Sequence, residues 1–398
     1  MSTGLVTGTN WLEPLMPSFP AELLKLAEEV PFQAGKLTGM IAPQMVSRVG
    51  GLLRVTSSFY SNLIEGQFTE PLQLSPSAPK RSRKELSELA MTHIGAQEAL
   101  ERAVSFYSDA TWGAAFDPVF VSRVHKRLFY GATEDQLKMT DGSALVPGQL
   151  RDEAGKDVMV GGHAAPSCSA VTPMLMRMQR VYGRLPDSRS RLLATMAYHH
   201  RLAWVHPFAD GNGRTIRLIT HLQLHKLGFS SPLWSLSRGL ARHQDEYYAR
   251  LANADKPRRG DLDGRGQLTQ AGLFEFVGFM LETCLDQMRY TEKALSVSSM
   301  KERLDTIFKW EPRILRAGLK LESARALQVL LSQGVVSRGD FKVFTGFSDR
   351  AATEQLRILV ELGLVESATP RARDLHPGLP IWFAQLLFPD LHQRMMQV

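Results

Sequence analysis

Cysteine is scarce in this sequence: its 398 residues include only Cys168 and Cys284, which lie too far apart to belong to one cysteine-rich ligand cluster. Two cysteines are also too few for a disulfide framework, so the sequence excludes a small secreted scaffold and favours a reducing, cytoplasmic location. Long hydrophobic runs are missing as well. No stretch of about 18 apolar residues occurs, and the first residues lack a basic start followed by an apolar run. We therefore expect neither a membrane span nor a secretion signal.

A strong excess of charge is absent too. The 47 Lys and Arg residues and the 40 Asp and Glu residues give a formal net charge of +7. This charge favours acidic partners such as nucleotides or nucleic acid only weakly, because it is spread over a large surface. The hydrophobic fraction of 44% is ordinary for a soluble protein, and the length allows two or three domains.

Strand patterns are few, and apolar residues recur mostly at three- and four-residue spacing, which predicts a mainly α protein. The clearest strand signal lies between Leu145 and Val160, where LVPGQL and KDVMV flank the polar turn RDEAG at residues 151–155. This pattern predicts a small β-hairpin. The helices predicted for the central region cover Leu86 to Tyr107, Val119 to Phe129, Leu192 to Val205, Ile216 to Leu227 and Leu273 to Met288.

The C-terminal region has a different pattern of shorter elements. After a helix over residues 323–331 we predict a short helix following Ser337, a turn, and a longer helix over residues 349–362. An apolar segment, a basic turn and the strand-like Ile381-Trp-Phe383 follow. This order resembles a winged helix. Residues 67–83 and 255–266 are predicted loops. We divide the chain into an N-terminal helical region (1–83), a central helical core (84–300) and a winged-helix-like domain (301–398).

One stretch of twelve residues, HPFADGNGRTIR at 206–217, combines several kinds of chemistry. The preceding helix should end at His206, because the residue before a proline is disfavoured in the α region. The next helix should begin near Asn212 or Gly213. The turn DGNG at 210–213 then presents free backbone amides at a helix N-terminus, and its glycines carry no Cβ that would keep a polyphosphate away. We predict an anion-binding site there.

The charged residues of this stretch fit phosphoryl or nucleotidyl transfer. Arg214 and Arg217 stand three apart in the first turns of the helix and can grip one anion through charge-assisted hydrogen bonds. Asp210 cannot favour a bare phosphate, so its natural task is to hold a divalent cation, Mg²⁺ or alternatively Mn²⁺. His206 can take a proton from an attacking hydroxyl near neutral pH. Phe208 is expected to anchor the loop in the core.

Two competing kinds of site are disfavoured. No Gly-x4-Gly-Lys-Ser/Thr motif occurs, so no P-loop competes for the nucleotide. Several histidines lie close together, yet no HExxH arrangement supplies a ligating carboxylate, and we predict packing or surface histidines and no zinc. The histidines concerned are His199, His200, His206, His221 and His225.

The stretch HPFADGNGRTIR resembles the signature of the Fic (filamentation induced by cAMP) family at every defining position. The resemblance covers roughly residues 36 to 300. It implies a mostly α-helical enzyme that transfers AMP from ATP to a hydroxyl of a target protein and releases pyrophosphate. His206 would be the general base and Asp210 the magnesium ligand. The phosphate site would comprise Gly211, Asn212, Gly213, Arg214 and Arg217.

Two further segments resemble parts of the same family. PGQLRDEAGKDVMVGGHAAP looks like the flap that clamps the target segment, and its exposed edge could pair with an extended peptide. The segment DEYYARLANAD at 245–255 resembles the adenine and ribose site, although either tyrosine could equally be a core aromatic residue. By this resemblance the residues near the nucleotide are Val160, Gly161, Gly162, His163, Tyr247, Tyr248 and Asp255.

The segment SNLIEG, from Ser61 to Gly66, resembles the family's inhibitory motif, placed here ahead of the catalytic motif. Ser61 and Glu65 are four apart and share a helix face, and Gly66 is suited to end that helix. Glu65 would then project from the tip and could pair with Arg217. Such a pair would occupy the arginine that a γ-phosphate needs.

Other functions stay open at this point. The winged-helix pattern allows a DNA-binding regulator, with Arg350, Thr353 and Arg357 off the apolar face of one helix. From Leu319 onward, however, nine Lys and Arg residues meet eight Asp and Glu residues, which is meagre for DNA affinity, and protein contact is as good an interpretation.

The chemistry could also differ from AMP transfer. Some Fic relatives transfer phosphate, another nucleotide or phosphocholine, and some remove AMP. The intact Asp210 and Arg217 favour AMP transfer, whereas Glu65 could position water for AMP removal. The sequence names neither the target protein nor the modified residue type, and it leaves a homodimer open.

Overall fold

The computed structural model describes residues 5–40, 42–67, 85–105, 110–139, 141–160, 163–229, 234–388 and 391. Over this part of the chain it consists mostly of helices, with one two-stranded and one three-stranded antiparallel sheet. The predicted mainly α class is confirmed. None of the described helices combines the length and the apolar character that crossing a membrane requires.

The described helices and strands of the first 295 residues are α1 (Ala21–Gly39), α2 (Pro43–Ile64), α3 (Glu85–Val104), α4 (Pro118–Leu128), α5 (Arg151–Ala154), β1 (Met159–Val160), β2 (His163–Ala164), α6 (Val171–Tyr182), α7 (Ser188–Val205), α8 (Asn212–Lys226), α9 (Leu236–Arg242), α10 (Gln244–Ala254) and α11 (Gln270–Leu295). Those that follow are α12 (Val297–Trp310), α13 (Pro312–Ala317), α14 (Ser323–Gln333), β3 (Val336–Ser337), α15 (Arg338–Thr345), α16 (Asp349–Glu361), β4 (Val365–Ser367), β5 (Asp374–Pro377) and α17 (Ile381–Leu387).

Helices α7 and α8 lie at the centre of the molecule. In α7 every residue from Leu192 to Val205 except Ala203 is buried, so this helix has no solvent-facing stripe. It packs against α6, α8 and α11, while α8 also contacts α2, α3 and α4. The loop from His206 to Gly211, which joins α7 to α8, is therefore held by packed helices on several sides.

The predicted hairpin is misplaced in the sequence-based interpretation. Residues expected to form its polar turn instead form α5, which ends at Gly155 with φ 62. Arg151 is fully buried, so this segment has to lie against the core and cannot form an exposed turn. The hairpin that the structure contains pairs Val160 with His163 and Met159 with Ala164. Gly161 and Gly162 lie outside the described residues.

The C-terminal elements include three successive helices, α14 to α16, and an antiparallel sheet in the order β3–β5–β4. The winged-helix assignment stays a prediction. The expected strand at Ile381 is wrong, because α17 begins there after Pro380, with Ile381, Ala384 and Leu387 on its buried face. The strand that follows the basic turn is β5, whose Leu375 is buried.

The domain boundary expected at residue 300 falls inside α12. This helix packs against α13, α14 and α17, and also contacts α11. We therefore propose that the C-terminal unit begins at Val297. Among the predicted loops, residues 255–266 are irregular as expected, whereas residues 68–84 lie outside the described part of the chain.

Candidate functional site

His206 ends α7 in a left-handed backbone conformation, with φ 51 and ψ 64. It is the one non-glycine residue with positive φ among the residues described. Pro207 has no N–H, so the carbonyl of Ala203 lacks its usual helical donor, and the His206 imidazole hydrogen-bonds with the Ala203 backbone. One ring nitrogen is thereby engaged as a donor, and the other is left to accept a proton.

The environment of His206 keeps its imidazole neutral at pH 7. Burial is the main reason why the pKa of His206 falls from an ordinary 6.5 to about 4, and Arg151 and His163 act in the same direction. The nearby Asp210 opposes this shift. A neutral imidazole with one free ring nitrogen can serve as a general base.

The side chain of Asn212 closes the loop on itself. Its Oδ1 accepts from the Phe208 N–H at 3.0 Å, and its Nδ2 donates to the Phe208 carbonyl at 2.8 Å. Phe208 is fully buried and stacks on the His125 ring, with centroids 3.9 Å apart. Any contact of Asn212 with phosphate would therefore use its backbone N–H, because its amide group is already bonded.

Two glycines of the loop are required by their surroundings. Gly211 has φ 75, and a Cβ on it would lie 2.6 Å from the Phe129 ring. A Cβ on Gly213 would collide with the carboxylate of Glu65. The missing Cβ of Gly213 thus lets an anionic group come close to the backbone at the N-terminus of α8. In this structure the Glu65 carboxylate lies at that place.

Arg217 is held by the end of α2. Its Nη2 donates to Glu65 Oε1 at 2.7 Å and to the Ser61 carbonyl at 2.8 Å, and its Nε donates to Ser61 Oγ at 3.0 Å. Burial alone would raise the pKa of Glu65, but the charge and hydrogen bond of Arg217 outweigh it, so this pKa lies below its ordinary value. Gly66 follows with φ 72 and ends the helix as expected.

Arg214 is buried beside this ion pair. Its Nη1 donates to Gln67 Oε1 at 3.2 Å, and its guanidinium lies over the Phe129 ring, 4.9 Å from the centroid. Its buried Nε finds no partner among the residues described. A buried N–H donor without a partner is costly, so an anion at this end of α8 would satisfy it.

A cavity of about 300 Å³ opens beside these groups. It brings together residues that the sequence placed in separate motifs. Predicted site residues that line it are Glu65, His163, His206, Asn212, Gly213, Arg217, Tyr247, Tyr248 and Asp255. Ser61, Gly66, Asp210, Gly211 and Arg214 are not among the lining residues, and Val160 lies on β1.

The two tyrosines have different partners. Tyr247 is buried, and its hydroxyl bonds to His199 Nε2 at 2.8 Å. The hydroxyl of Tyr248 donates to the carbonyl of Ile64 at 3.0 Å, so this side chain also holds the last turn of α2. Asp255 Oδ1 lies 3.0 Å from His200 Nε2.

Asp210 lies exposed on the loop, where its Oδ1 accepts from the Gly211 N–H at 2.6 Å. Groups of three or more possible metal-ligating His, Cys, Asp or Glu side chains are absent from the described part of the chain. This donor set still fits Mg²⁺, which usually takes one or two carboxylates and completes its octahedron with water and substrate phosphates.

Sequence reasoning missed two residues that hold the loop. Arg151 was assigned to an exposed turn, yet its guanidinium donates to the His206 carbonyl at 2.7 Å. His125 on α4 was not singled out, yet its Nε2 lies 3.0 Å from the Asp210 carbonyl and its Nδ1 accepts from the Gly148 N–H at 2.8 Å. Arg151 lies in the segment that resembles the flap, but nothing in that pattern indicates that its side chain is buried, and His125 belongs to none of the motifs described above.

This arrangement defines a mainly helical protein in which a neutral, largely buried histidine lines the same cavity as the N-terminus of α8. The model of the Fic/DOC family matches residues 115–224, which include the stretch HPFADGNGRTIR. Residues 115–224 thus match the Fic/DOC family, and this match covers less than a third of the chain. Ser61 to Gly66 and Tyr247 to Asp255 lie outside the matched residues.

Similar proteins agree with this assignment. A Culex quinquefasciatus protein named protein adenylyltransferase Fic is 31% identical over 109 residues, which is 26% of this chain and 20% of that protein. The Drosophila persimilis protein of the same name is 36% identical over 73 residues, 18% of this chain and 14% of that protein. This chain thus aligns with only a fifth or less of the length of these relatives.

A solved structure of a Fic family protein from Desulfovibrio desulfuricans G20 has a TM-score of 0.51 to this chain. The superposition covers 91% of this chain and 97% of that one, at 19% sequence identity. At this identity the likeness bears on the fold alone.

Proposed function

We propose that the protein transfers AMP from ATP to a hydroxyl group of a protein target and releases pyrophosphate. One observation carries the proposal: the carboxylate of Glu65 occupies the N-terminal end of α8, close to Gly213 and Arg217, and lines the same cavity as His206. The place is built for a negatively charged group, and a base lies beside it. The names of the matched insect relatives point to the same reaction.

In this mechanism the free ring nitrogen of His206 takes the proton of the target hydroxyl. The hydroxyl oxygen then attacks the α-phosphorus, a new P–O bond forms, and the bond to the β-phosphate oxygen breaks as pyrophosphate leaves. Backbone N–H groups at the start of α8, with Arg214 and Arg217, neutralise the phosphate charge. The side chains of Tyr247 and Asp255 line the part of the cavity that would hold the nucleoside.

Asp210 would hold Mg²⁺ at the phosphate groups, where the ion would supply charge neutralisation of the leaving pyrophosphate. Its exposed position at the N-terminus of α8 allows the remaining ligands to come from water and substrate. The hairpin of β1 and β2 would present the target segment, because His163 on β2 lines the same cavity as His206.

We further propose that Glu65 inhibits this reaction. Arg217 has one planar guanidinium, which cannot pair in good geometry with both the Glu65 carboxylate and a γ-phosphate. ATP would therefore have to displace a partly buried ion pair before it could bind productively. The unmodified chain should be nearly silent in AMP transfer.

Transfer from labelled ATP tests the reaction. Purified wild-type, Glu65→Gly and Glu65→Gly/His206→Ala proteins are each incubated with α-labelled or γ-labelled ATP and a cell lysate. We expect strong labelling of protein from the α position only, with Glu65→Gly at least tenfold above wild type and the double variant at background.

Other outcomes separate the alternatives. Label from the γ position would mean phosphate transfer and would contradict the proposal. If Glu65→Gly labels no more protein than wild type, while wild type removes AMP from protein labelled beforehand, Glu65 belongs to an AMP-removing mechanism. Adding Arg217→Ala to Glu65→Gly should abolish transfer, because the phosphate ligand is lost together with the inhibitory pair.

A further inference from the structure

Arg151 is a buried cation that is bound almost entirely by backbone carbonyls. Its side chain is fully buried, and its closest carboxylate contact is 4.0 Å from Nη1, at Asp157. Nη2 donates to the carbonyls of Val205 and Pro166 at 3.0 and 2.9 Å, and Nε donates to the carbonyl of His206 at 2.7 Å.

The remaining bonds of Arg151 reach the N-terminal flank of the hairpin and the loop once more. Nη1 donates to the carbonyl of Lys156 at 3.0 Å, and the backbone N–H of Arg151 donates to the carbonyl of Pro207 at 2.8 Å. One residue thus joins three consecutive carbonyls, at 205–207, to the two ends of the segment that contains β1 and β2.

These carbonyls need such a donor because of the local sequence. The last carbonyls of α7 have no helical N–H partners, since the helix ends at Val205 and the chain turns at Pro207. The left-handed backbone of His206 is disfavoured for a residue with a Cβ and persists only where its surroundings fix it. The planar five-donor fork of arginine can satisfy several carbonyls at once, which the single ammonium of lysine cannot do in the same geometry.

We propose that Arg151 is the positioning residue of this site: its guanidinium fixes the backbone of His206 and the flanks of the hairpin in one register. The imidazole of His206 and a target segment on the hairpin therefore face each other at a set distance. The effect on catalysis rests on the proposed AMP transfer. The positioning itself rests on the hydrogen bonds of Arg151 alone.

The expected effect is on the rate of the chemical step and not on nucleotide binding, because Arg151 does not line the cavity. In the Glu65→Gly background, Arg151→Met should lower kcat about 100-fold, as expected for a general base displaced by about 1 Å. Arg151→Lys, which keeps the charge but not the fork, should lower it about tenfold. The Kd for ATP should stay within threefold in both.

A second readout needs no turnover. Proteins labelled with ¹³C at histidine Cε1 are titrated by NMR, and the His206 signal is assigned by its loss in His206→Gln. Arg151 is one cause of the low pKa of His206, so Arg151→Met should move the titration midpoint upward from about 4. The amide hydrogens of residues 205–211 should also exchange faster in this variant.

Arg238→Met is the matched control, because Arg238 is also buried and donates to Gln287 on α11, away from the loop. It should reduce thermal stability without changing kcat in the Glu65→Gly background or the His206 titration. If Arg151→Met does not fold, Arg151→Lys provides the comparison. The inference is overturned if both Arg151 variants keep the kcat of the parent. It is also overturned if kcat falls in proportion to thermal stability in the Arg151 variants and in Arg238→Met alike.

The two proposals fail separately. If the Glu65→Gly protein transfers no AMP at all, the proposed function is wrong, and the NMR titration and amide exchange still decide the role of Arg151. If transfer is strong but the His206 titration and exchange are unchanged in the Arg151 variants, only the positioning role is wrong.

Discussion

At the scale of single residues, His200 connects a buried cation to the carboxylate of the cavity. Arg201 Nη1 lies 2.7 Å from His200 Nδ1, and His200 Nε2 lies 3.0 Å from Asp255 Oδ1. A guanidinium can only donate, so Nδ1 is the acceptor and Nε2 carries the hydrogen that reaches Asp255. Burial, with Arg201 acting in the same direction, lowers the pKa of His200, so the ring is a neutral donor at pH 7.

Substitution of His200 should show whether this bond orients Asp255 for the nucleotide. The amide nitrogen of glutamine can replace Nε2 of histidine, so His200→Gln should bind ATP within about threefold of the parent. His200→Leu should bind about tenfold more weakly, the loss expected for one hydrogen bond to a charged group. Calorimetric titration with ATP in the Glu65→Gly background gives both values.

Asp255→Ala supplies the control for this prediction. In that background the ATP dissociation constants of the two His200 variants should differ by less than about twofold, because the carboxylate that residue 200 contacts is absent. An equal loss for His200→Leu with and without Asp255 would mean that His200 supports only the packing of α7 against its neighbours.

The sequence predicted that residues of the stretch HPFADGNGRTIR meet at one site, because their types and spacing suit a common chemical task; their roles stay predictions. His206, Gly213 and Arg217 meet in the cavity as the twelve-residue pattern implied. The burial of Arg151 was not predictable, because an exposed polar turn and a segment with a buried arginine can have the same polar sequence. Only the tertiary structure distinguishes the two. The same holds for the Asn212 side chain, whose amide group is bonded to the backbone of Phe208.

At the scale of elements, α2 is fixed at several points along its length. Near its start Arg48 pairs with Glu366 on β4, and beyond its end Gln244 and Tyr248 donate to the Ile64 carbonyl. In its middle, Arg54 pairs with Glu101 on α3 at 2.9 Å. The position of Glu65 at the tip of α2 therefore depends on contacts far from the cavity.

Glu101 on α3, which pairs with Arg54 in the middle of α2, has further partners on α3 and α8. Its Oε1 also accepts from Gln97 at 2.8 Å and lies 2.7 Å from Nε2 of His221, which follows Arg217 by one turn of α8. Burial would raise the pKa of Glu101, but the bond with His221 and the charge of Arg54 hold it well below its ordinary value. One carboxylate thus links α2, α3 and α8.

Glu101→Gln should loosen α2, whose last turn leads to Glu65. Loss of the buried carboxylate charge that pairs with Arg54 should cost about 3 kcal/mol of unfolding free energy, and basal AMP transfer should rise severalfold because Glu65 is held less firmly. In Glu65→Gly the same substitution should lower stability equally and leave transfer unchanged. Urea unfolding and α-labelled ATP measure the two effects. A rise in transfer in both backgrounds would mean that Glu101 acts without Glu65.

The helices of the core were predicted well because their apolar periodicity is long, whereas the hairpin was misplaced. LVPGQL and KDVMV alternate over only a few residues, and such short runs do not fix a strand register. The observed pairing of Val160 with His163 involves just two residues on each strand. The helix at Ile381 was mistaken for a strand for the same reason.

At the scale of the whole molecule, the C-terminal unit lies against α2. Helix α14 packs on α2, and Arg48 joins α2 to β4. On α16, Arg357 pairs with Glu354 and Glu361, so a side chain considered for DNA contact has its charge compensated within its own helix.

The buried histidines should make the stability of the whole protein sensitive to mild acid. Burial is the main cause that lowers the pKa of five of them, His200 included, from an ordinary 6.5. The folded-state values are about 3 for His93 and His199 and about 4 for His125 and His206. Because folding depresses these values, the unfolded chain takes up protons as the pH falls below 6.5, and the folded chain does not until the pH nears 4.

The free energy of unfolding should therefore be constant above pH 7 and should fall between pH 6.5 and 4. At pH 5.5 the loss should be about 1 kcal/mol for each histidine whose folded-state pKa lies near 3 or 4, and His200 adds to it. Glu65 and Glu101 contribute little between pH 6.5 and 5.5, because their stabilisation is lost only as the pH falls below the ordinary glutamate pKa of 4.5. Urea unfolding at pH 7.5, 6.5 and 5.5 measures the change, and His93→Gln should reduce it by about 1 kcal/mol. Equal stability at pH 7.5 and 5.5 would show that these histidines are protonated alike in the folded and unfolded chains.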